Sequence, residues 1–254
     1  MVQSLYCVQH GIRDEGDKMG EKLVIVIPAY NEQENIGKVI DDWYEIVERY
    51  GKSGKLVIID DGSTDDTYQI MKEYARSRPK LEPLTKTNSG HGATVLFGYQ
   101  YALENGADYI FQTDSDGQTV SSEFVTFWNH RNAYDMIIGW RHKRQDGRTR
   151  IFVTKILKLV IRICFGVRVK DANTPFRLMK ASTLKKEIGI IPKDFQLSNV
   201  IIPVIYEKKH LAVKYIPITF RPRQGGTNSI HMKEIIKIGV RAFADFRKIN
   251  KIIR

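Results

Sequence analysis

Apolar residues in the first half of the chain come as short unbroken runs separated by longer stretches of mixed polarity. Leu23-Val-Ile-Val-Ile27 is continuous, rich in β-branched residues and stops at Pro28, the pattern of a strand buried on both faces of a parallel sheet. Ala29-Tyr30-Asn31-Glu32 then reads as a loop and the amphipathic stretch to about Tyr50 as a helix. The pattern recurs. Lys55 to Asp61 predicts a second strand, Gly62-Ser63-Thr64-Asp65 a turn and cap, and Asp66 to about Ser77 a second helix. Leu81 to Thr85 predicts a weaker third strand, Asn88-Ser-Gly-His-Gly92 a loop that opens a helix to about Asn105, and Tyr109 to Thr113 a fourth strand. Further on, Tyr134 to Gly139 reads as a fifth strand ending at Trp140-Arg141, Asp194-Phe195-Gln196 as a helix start, and Val213 to Phe220 as an alternating strand. Strands alternating with helices imply right-handed crossovers and a mostly parallel sheet, with the loops after its strands gathered on one side.

That topology brings three acid-bearing loops together: Pro28 to Glu32, Asp60 to Asp65, and Asp114 to Gln118. The third holds two carboxylates one residue apart, Asp114 and Asp116, with the Gln118 amide beside them. Such a triplet suits a turn or helix cap, and equally offers hard oxygen ligands to a divalent cation that also holds a diphosphate. Convergence of the three loops favours a nucleotide pocket, with base and ribose on the first two and the metal on the third. Neither G-x-G-x-x-G after a strand nor G-x-x-x-x-G-K-[ST] is present. Asn88 to Gly92 is compatible with a plain helix start and with a phosphate cradle.

The 254 residues suffice for one large α/β domain or two small ones, and 42% hydrophobic content is ordinary for a globular protein. Cys7 and Cys164 lie far apart with no metal or redox spacing, which fits a reducing, cytoplasmic compartment. A net charge of +11 predicts an anionic partner, and its distribution narrows the choice. Arg141 to Lys170 holds ten basic residues against one acid, Asp146. Within it Ile151 to Phe165 is apolar apart from Lys155, Lys158 and Arg162, which share one helix face. This helix suits a membrane interface or a core-packed position with a solvated cationic stripe. From Met232 the tail repeats the theme: Met232, Ile236, Gly239, Phe243, Phe246, Ile249 and Ile253 form an apolar stripe with Lys233, Lys237, Arg241, Lys248 and Lys251 off it. Membrane docking, packing back on the domain and a dimer contact all fit such a tail, with docking favoured. No apolar run is long enough to span a bilayer. Met19 reads as a second possible start, leaving residues 1–18 as an extension, 19–230 as the main domain and 231–254 as the tail.

Ile27-Pro-Ala-Tyr-Asn-Glu32, Ile59-Asp-Asp-Gly-Ser-Thr-Asp65, the Asn88 loop and Asp114-Ser-Asp-Gly-Gln118, in that order and spacing, resemble the GT-A glycosyltransferases of family 2. The likeness covers about Leu23 to Ile230, and within the family is greatest to the dolichol-phosphate mannose synthase and polyprenyl-phosphate glycosyltransferase branch. The resemblance implies a GT-A, Rossmann-like sheet flanked by helices, a UDP- or GDP-sugar donor, Mg²⁺ or Mn²⁺, and inversion at the anomeric carbon. It implies nucleotide contacts from Pro28, Tyr30, Glu32, Asp61 and Ser115, and places metal and diphosphate at Asp114, Asp116 and Gln118. Arg141 matches an arginine near the reacting phosphates. Asp171 and Arg177, in a segment ending Phe176-Arg-Leu, match the acceptor border; a structural ion pair is the favoured role for Arg177. Arg223 and Ser229 match a closing loop beside the diphosphate, although Ile230 stands where a lysine often follows.

A sugar-hydroxyl acceptor calls for a general base, and the acidic pair and Gln-x-x-Arg-Trp motif of family members with such acceptors are missing. A phosphate monoester is already anionic and needs only cations to seat it. The basic run and the interfacial helices therefore point to polyprenyl phosphate at the cytoplasmic face of a membrane, with the protein peripheral there. A homo-oligomer or a membrane-protein partner is compatible with this. The nearest rival is a family 2 enzyme of polysaccharide, capsule or lipopolysaccharide synthesis with Asp194 or Asp171 as base. A nucleotidyltransferase would need a glycine-rich basic loop after the first strand. A nucleic-acid-binding protein would interleave aromatics with its cations, and Arg141 to Arg150 contains none.

Overall fold

The computed structural model describes residues 20–141, 148–192, 195–222 and 243–253. β1 (Leu23–Ala29) is buried at every position, as its unbroken apolar run requires. It pairs in parallel with β2 (Lys55–Asp60) on one side and with β4 (Tyr109–Gln112) on the other, while β3 (Leu81–Thr85) pairs with the outer edge of β2. The chain therefore winds outward from β1 through α1 (Ile36–Tyr50) and α2 (Thr67–Ala75). It then returns through α3 (His91–Glu104) to the opposite side of β1. Such a reversal opens a crevice beyond the C-terminal ends of β1 and β4.

Among the described residues the second half extends the sheet to seven strands in the order β3-β2-β1-β4-β6-β5-β7. β6 (Arg177–Lys180) runs antiparallel between β4 and β5 (Met136–Arg141), and β7 (Val213–Ile218) returns parallel to β5. The sheet is thus mostly parallel, with one reversed strand that the apolar pattern does not announce. β6 opens on Arg177 and closes on Lys180, which leaves only Leu178 and Met179 as an apolar signal. Several boundaries also shift from expectation: β1 runs through Pro28 to Ala29, β2 ends at Asp60, β4 ends at Gln112, β5 begins at Met136 and β7 ends at Ile218.

Two cores cover the two faces. On one, Ile36, Val39, Ile40, Trp43 and Val47 of α1 meet Leu23, Ile25 and Ile27, and an aromatic cluster of Trp43, Phe111, Phe124, Phe127 and Phe176 continues the layer beneath α4 (Phe124–Trp128). On the other, α3 lies close on β1 because Gly98 has no side chain; a Cβ there would sit 2.3 Å from a Val26 methyl. α5 (Arg148–Phe165) and α7 (Ser198–Lys208) complete that layer, and α6 (Ala181–Glu187) follows β6. Of the helix start expected at Asp194-Phe195-Gln196, Asp194 lies outside the described residues, and α7 begins at Ser198, beyond Phe195 and Gln196.

The tail departs from its favoured placement. Residues 243–252 are helical, and Phe246, Ile249 and Ile253 are buried in the second core. The Phe246 ring lies 5.4 Å from that of Phe165 and 6.3 Å from that of Phe195, and Lys208 donates to the Asn250 side chain. The described part of the tail packs back on the domain, since Phe246, Ile249 and Ile253 of its apolar stripe find α5 and α7 there; Phe243, expected on the same stripe, is 37% exposed. Met232, Lys233, Ile236, Lys237, Gly239 and Arg241 lie outside the described residues.

Candidate active site

The loops after β1 and β2 are tied together by short polar side chains. Asn31 takes a positive φ of 53°, a conformation asparagine tolerates, and this turns its backbone N–H onto Ser63 Oγ at 2.9 Å and its side-chain oxygen onto Thr64 N at 2.9 Å. Thr67 Oγ1 accepts from Glu32 N at 2.8 Å, and the buried Glu32 carboxylate accepts from Asn35 Nδ2 at 2.8 Å. Asp60 accepts from Ser63 N and Thr85 Oγ1 at 3.1 and 2.8 Å. Pro28 is buried within β1 in register with Ile59, whereas Tyr30, just past the end of β1, is 48% exposed.

Asp61 is buried and takes Lys86 Nζ, Ser89 N at 3.0 Å and Gly90 N at 2.9 Å. Desolvation pushes its pKa up, but the Lys86 ammonium, the Ser89 amide and the Thr94 hydroxyl outweigh it, so the net shift is below the ordinary carboxylate value. Glu32 and Asp61, expected to grip base and ribose, also hold the surrounding loops in place. Asp61 in particular fastens the Asn88 to Gly92 loop to the end of β2. Lys86 was not marked by the sequence pattern, because only the fold brings it to a carboxylate 25 residues away.

The Asp114 loop follows β4 across the crevice. Asp114 Oδ1 lies 3.0 Å from His91 Nε2 at the start of α3 and 3.5 Å from Gln112 Nε2, and Gln112 accepts from Tyr99 at 2.8 Å. Desolvation lowers the His91 pKa and the Asp114 carboxylate more than restores it, leaving it raised. Ser115 is buried; Gly117 takes a φ of +68° that folds the loop so that Asp116 Oδ1 accepts from Gln118 N at 3.1 Å. Gln118 in turn donates through Nε2 to the Arg221 carbonyl at 2.8 Å, which assigns its amide nitrogen a structural task and leaves only its carbonyl oxygen as a ligand. Among the described residues no cluster of three or more His, Cys, Asp or Glu side chains could enclose a metal. A pair of carboxylates fits Mg²⁺ or Mn²⁺ that arrives with a substrate's phosphates rather than in a closed protein cage.

Beyond this loop the acceptor-side residues form a connected set. Arg141, at the end of β5, forks onto Asp171 with Nε and an NH₂ group each at 3.0 Å, and its guanidinium lies 5.0 Å from the Phe220 ring centre. Phe220 bridges to Thr119, and Arg221 N donates to the Gln118 carbonyl at 2.8 Å, so the Asp116 loop and the Arg141–Asp171 pair brace one another. Asp171 thus serves as counter-ion with both oxygens engaged, a poor arrangement for a general base. Arg177 differs from expectation. It is fully buried and, in place of a carboxylate fork, donates to the carbonyls of Thr174, Asn199 and Ala172 at 2.6, 3.0 and 3.4 Å. Burial lowers its pKa, opposed by Tyr99 and the Asp114 and Asp171 carboxylates. Gln196 also escaped the sequence pattern: it donates to the Ser89 carbonyl at 2.8 Å and ties the α7 entry to the Asn88 loop. Arg223, Ser229 and Asp194 lie outside the described residues.

The model of glycosyl transferase family 2 matches residues 24–193, a span that holds the three loops, Arg141, Asp171 and β6. Among curated relatives, the undecaprenyl-phosphate 4-deoxy-4-formamido-L-arabinose transferase of Pectobacterium atrosepticum is 27% identical over 73% of this chain and 59% of its own length. Its namesake from Pectobacterium carotovorum is 27% identical over 84% of this chain and 64% of its own length. The chain thus spans about three fifths of these relatives. Solved structures of Mycobacterium tuberculosis glucosyl-3-phosphoglycerate synthase share the fold. The complex with phosphoglyceric acid is 18% identical with a TM-score of 0.66 over 91% of this chain and 81% of that one. The complex with Mn²⁺ and UDP-glucose is 18% identical with a TM-score of 0.64 over 91% and 80%. The chain belongs to glycosyl transferase family 2.

Proposed function

We propose that the protein transfers a sugar from a nucleoside-diphosphate sugar to a polyprenyl phosphate at the cytoplasmic face of a membrane, with inversion at the anomeric carbon. The observation that carries this reading is the pairing of an open two-carboxylate loop, Asp114 to Gln118, with the braced Arg141–Asp171 pair at the edge of the same crevice. The names of the curated relatives support the acceptor class, and the Mn²⁺ and UDP-glucose in the structural relative support the donor class.

Tyr30 would cover the base, while the Asp61-anchored loop would shape the floor beneath it. Asp114 and Asp116, with the carbonyl of Gln118, would hold Mg²⁺ or Mn²⁺, which neutralises the departing diphosphate when bound. Arg141 would meet phosphate oxygens from the acceptor side, and Arg223 and Ser229 would close over the diphosphate. An acceptor phosphate oxygen attacks C1 of the sugar as the bond from C1 to the diphosphate oxygen breaks. The nucleoside diphosphate leaves with that electron pair, and the anionic acceptor surrenders no proton. No general base is then required, which accords with Asp171 being engaged as a counter-ion.

The test is transfer from UDP- and GDP-sugars to a polyprenyl phosphate in detergent with Mn²⁺. Asp116→Ala is expected to lose at least ~100-fold in turnover while keeping its melting temperature without ligand, and chelation of the metal should have a comparable effect. Full turnover by Asp116→Ala, or transfer to a soluble sugar with the lipid phosphate untouched, would overturn the assignment.

A further inference from the structure

α5 exposes an apolar ridge in addition to its buried face. Ile161, Cys164 and Phe165 face the core, yet Ile156, Leu159 and Ile163 are 46%, 57% and 65% exposed. Their spacing of three and four aligns them along one side of the helix over about 10 Å. Each is immediately preceded by an exposed cation, Lys155, Lys158 and Arg162, so a row of cations runs beside the ridge, about 100° round the helix. No acidic residue occurs in α5, and among the described residues no helix is long and apolar enough to cross a membrane.

We infer that this ridge is a docking surface for the headgroup layer of an anionic phospholipid bilayer. The aliphatic tips enter the boundary between headgroups and acyl chains, while the flexible lysine and arginine stems lie along that boundary and place their charges among the phosphates. Charge decides against a second copy as occupant. A two-fold contact through α5 would set two cation rows against each other with no acid on either helix to offset them. A single ridge is also narrow for a stable protein interface, which commonly buries about 800 Å² on each side. A bilayer requires only apolar tips and positive charge. The inference deepens the lipid-acceptor reading and rests on it for its purpose, because a helix lying flat after β5 holds the Arg141 edge of the crevice at headgroup depth.

Cosedimentation of the full chain with phosphatidylcholine vesicles, with and without phosphatidylglycerol, tests it in the absence of sugar donor and acceptor. The parent is expected to bind phosphatidylglycerol vesicles and to release with salt. Combined Ile156→Ser, Leu159→Ser and Ile163→Ser should weaken binding by ~10-fold or more. Combined Lys155→Gln, Lys158→Gln and Arg162→Gln should abolish the preference for the anionic vesicles while leaving weak binding to both kinds. Stabilisation of either variant by a nucleotide sugar and Mn²⁺ should match the parent, which separates docking from misfolding. Equal vesicle binding by parent and serine variant overturns the inference. So does a parent that ignores vesicles and is a dimer which the serine variant dissociates. Either result leaves the transferase reading to its own assay, and absence of transfer in detergent leaves the vesicle result standing.

Discussion

Asp61, just past the end of β2, shows how one buried carboxylate holds a neighbouring loop in the wall of the crevice. Lys86, Ser89 and Gly90 all donate to it from the segment 86–90, so removing the charge loosens that segment. Asp61→Asn is expected to lower the unfolding free energy by about 2 kcal/mol at neutral pH, the scale of charge-assisted hydrogen bonds in a buried setting. The pH dependence follows from the sign of its shift. A carboxyl group whose folded pKa lies below its ordinary 3.8 contributes stability that is fully present above that value and is lost as pH falls through the folded pKa. Urea titrations of parent and variant should therefore differ by a constant amount above about pH 5 and converge below pH 4. Arg177 supplies the complementary case of a buried cation held by carbonyls. Arg177→Met leaves three carbonyls without their donor and should cost about 3 kcal/mol; Arg177→Lys, with one ammonium in place of a planar fork, should recover part of that. Equal unfolding free energies for Arg177→Met and the parent would refute the structural role given to the guanidinium.

At the scale of elements, β1, β2 and β4 were legible because they are almost wholly buried and read as apolar runs, whereas the edge strand β3, with only Leu81 buried, gave a weaker signal. The carboxylates at their C-terminal ends followed from topology alone. β6 was not legible: four residues long, it carries the buried Arg177, whose stabilising carbonyls come from Ala172, Thr174 and Asn199 and leave no local pattern. The same limit hid Lys86, His91 and Gln196, whose partners lie 25, 23 and 107 residues away. Residue types named the loops, and tertiary contacts determined which acids face the crevice. The start of α3 is where these contacts concentrate. A Cβ on Gly92 would lie 2.1 Å from the Gln196 carbonyl oxygen and 2.7 Å from that of Phe195, so a side chain there meets backbone that cannot rotate away. Gly92→Ala is expected to lower stability by about 2 kcal/mol, read as a shift in the urea midpoint. Because His91 and the Asn88 loop must move with it, the same variant should bind a nucleotide sugar with Mn²⁺ more weakly, read as a smaller ligand-induced rise in melting temperature.

For the whole molecule the two basic amphipathic segments, alike in sequence, receive different tasks from the packing around them. α5 keeps Ile156, Leu159 and Ile163 outside, whereas the tail turns Phe246, Ile249 and Ile253 inward. Composition cannot separate the two, because apolar spacing and cation content are shared; what differs is whether a complementary groove exists. The tail meets one formed by Phe165, Phe195 and the end of α7, where Lys208 also holds Asn250. This makes the tail part of the folded unit, and Phe246→Ala tests that. Truncating a fully buried ring between two other rings costs about 3–5 kcal/mol, and for a chain of this size each 1 kcal/mol moves the melting temperature by about 2–4 °C. Calorimetry should thus show a fall on the order of 10 °C, with vesicle binding of the surviving native protein little changed at temperatures below the transition. A tail serving only as a membrane anchor would give the reverse: an unaltered transition and lost vesicle binding. The two measurements on this one variant, taken together, decide whether the inward stripe of the tail serves folding or membrane anchoring.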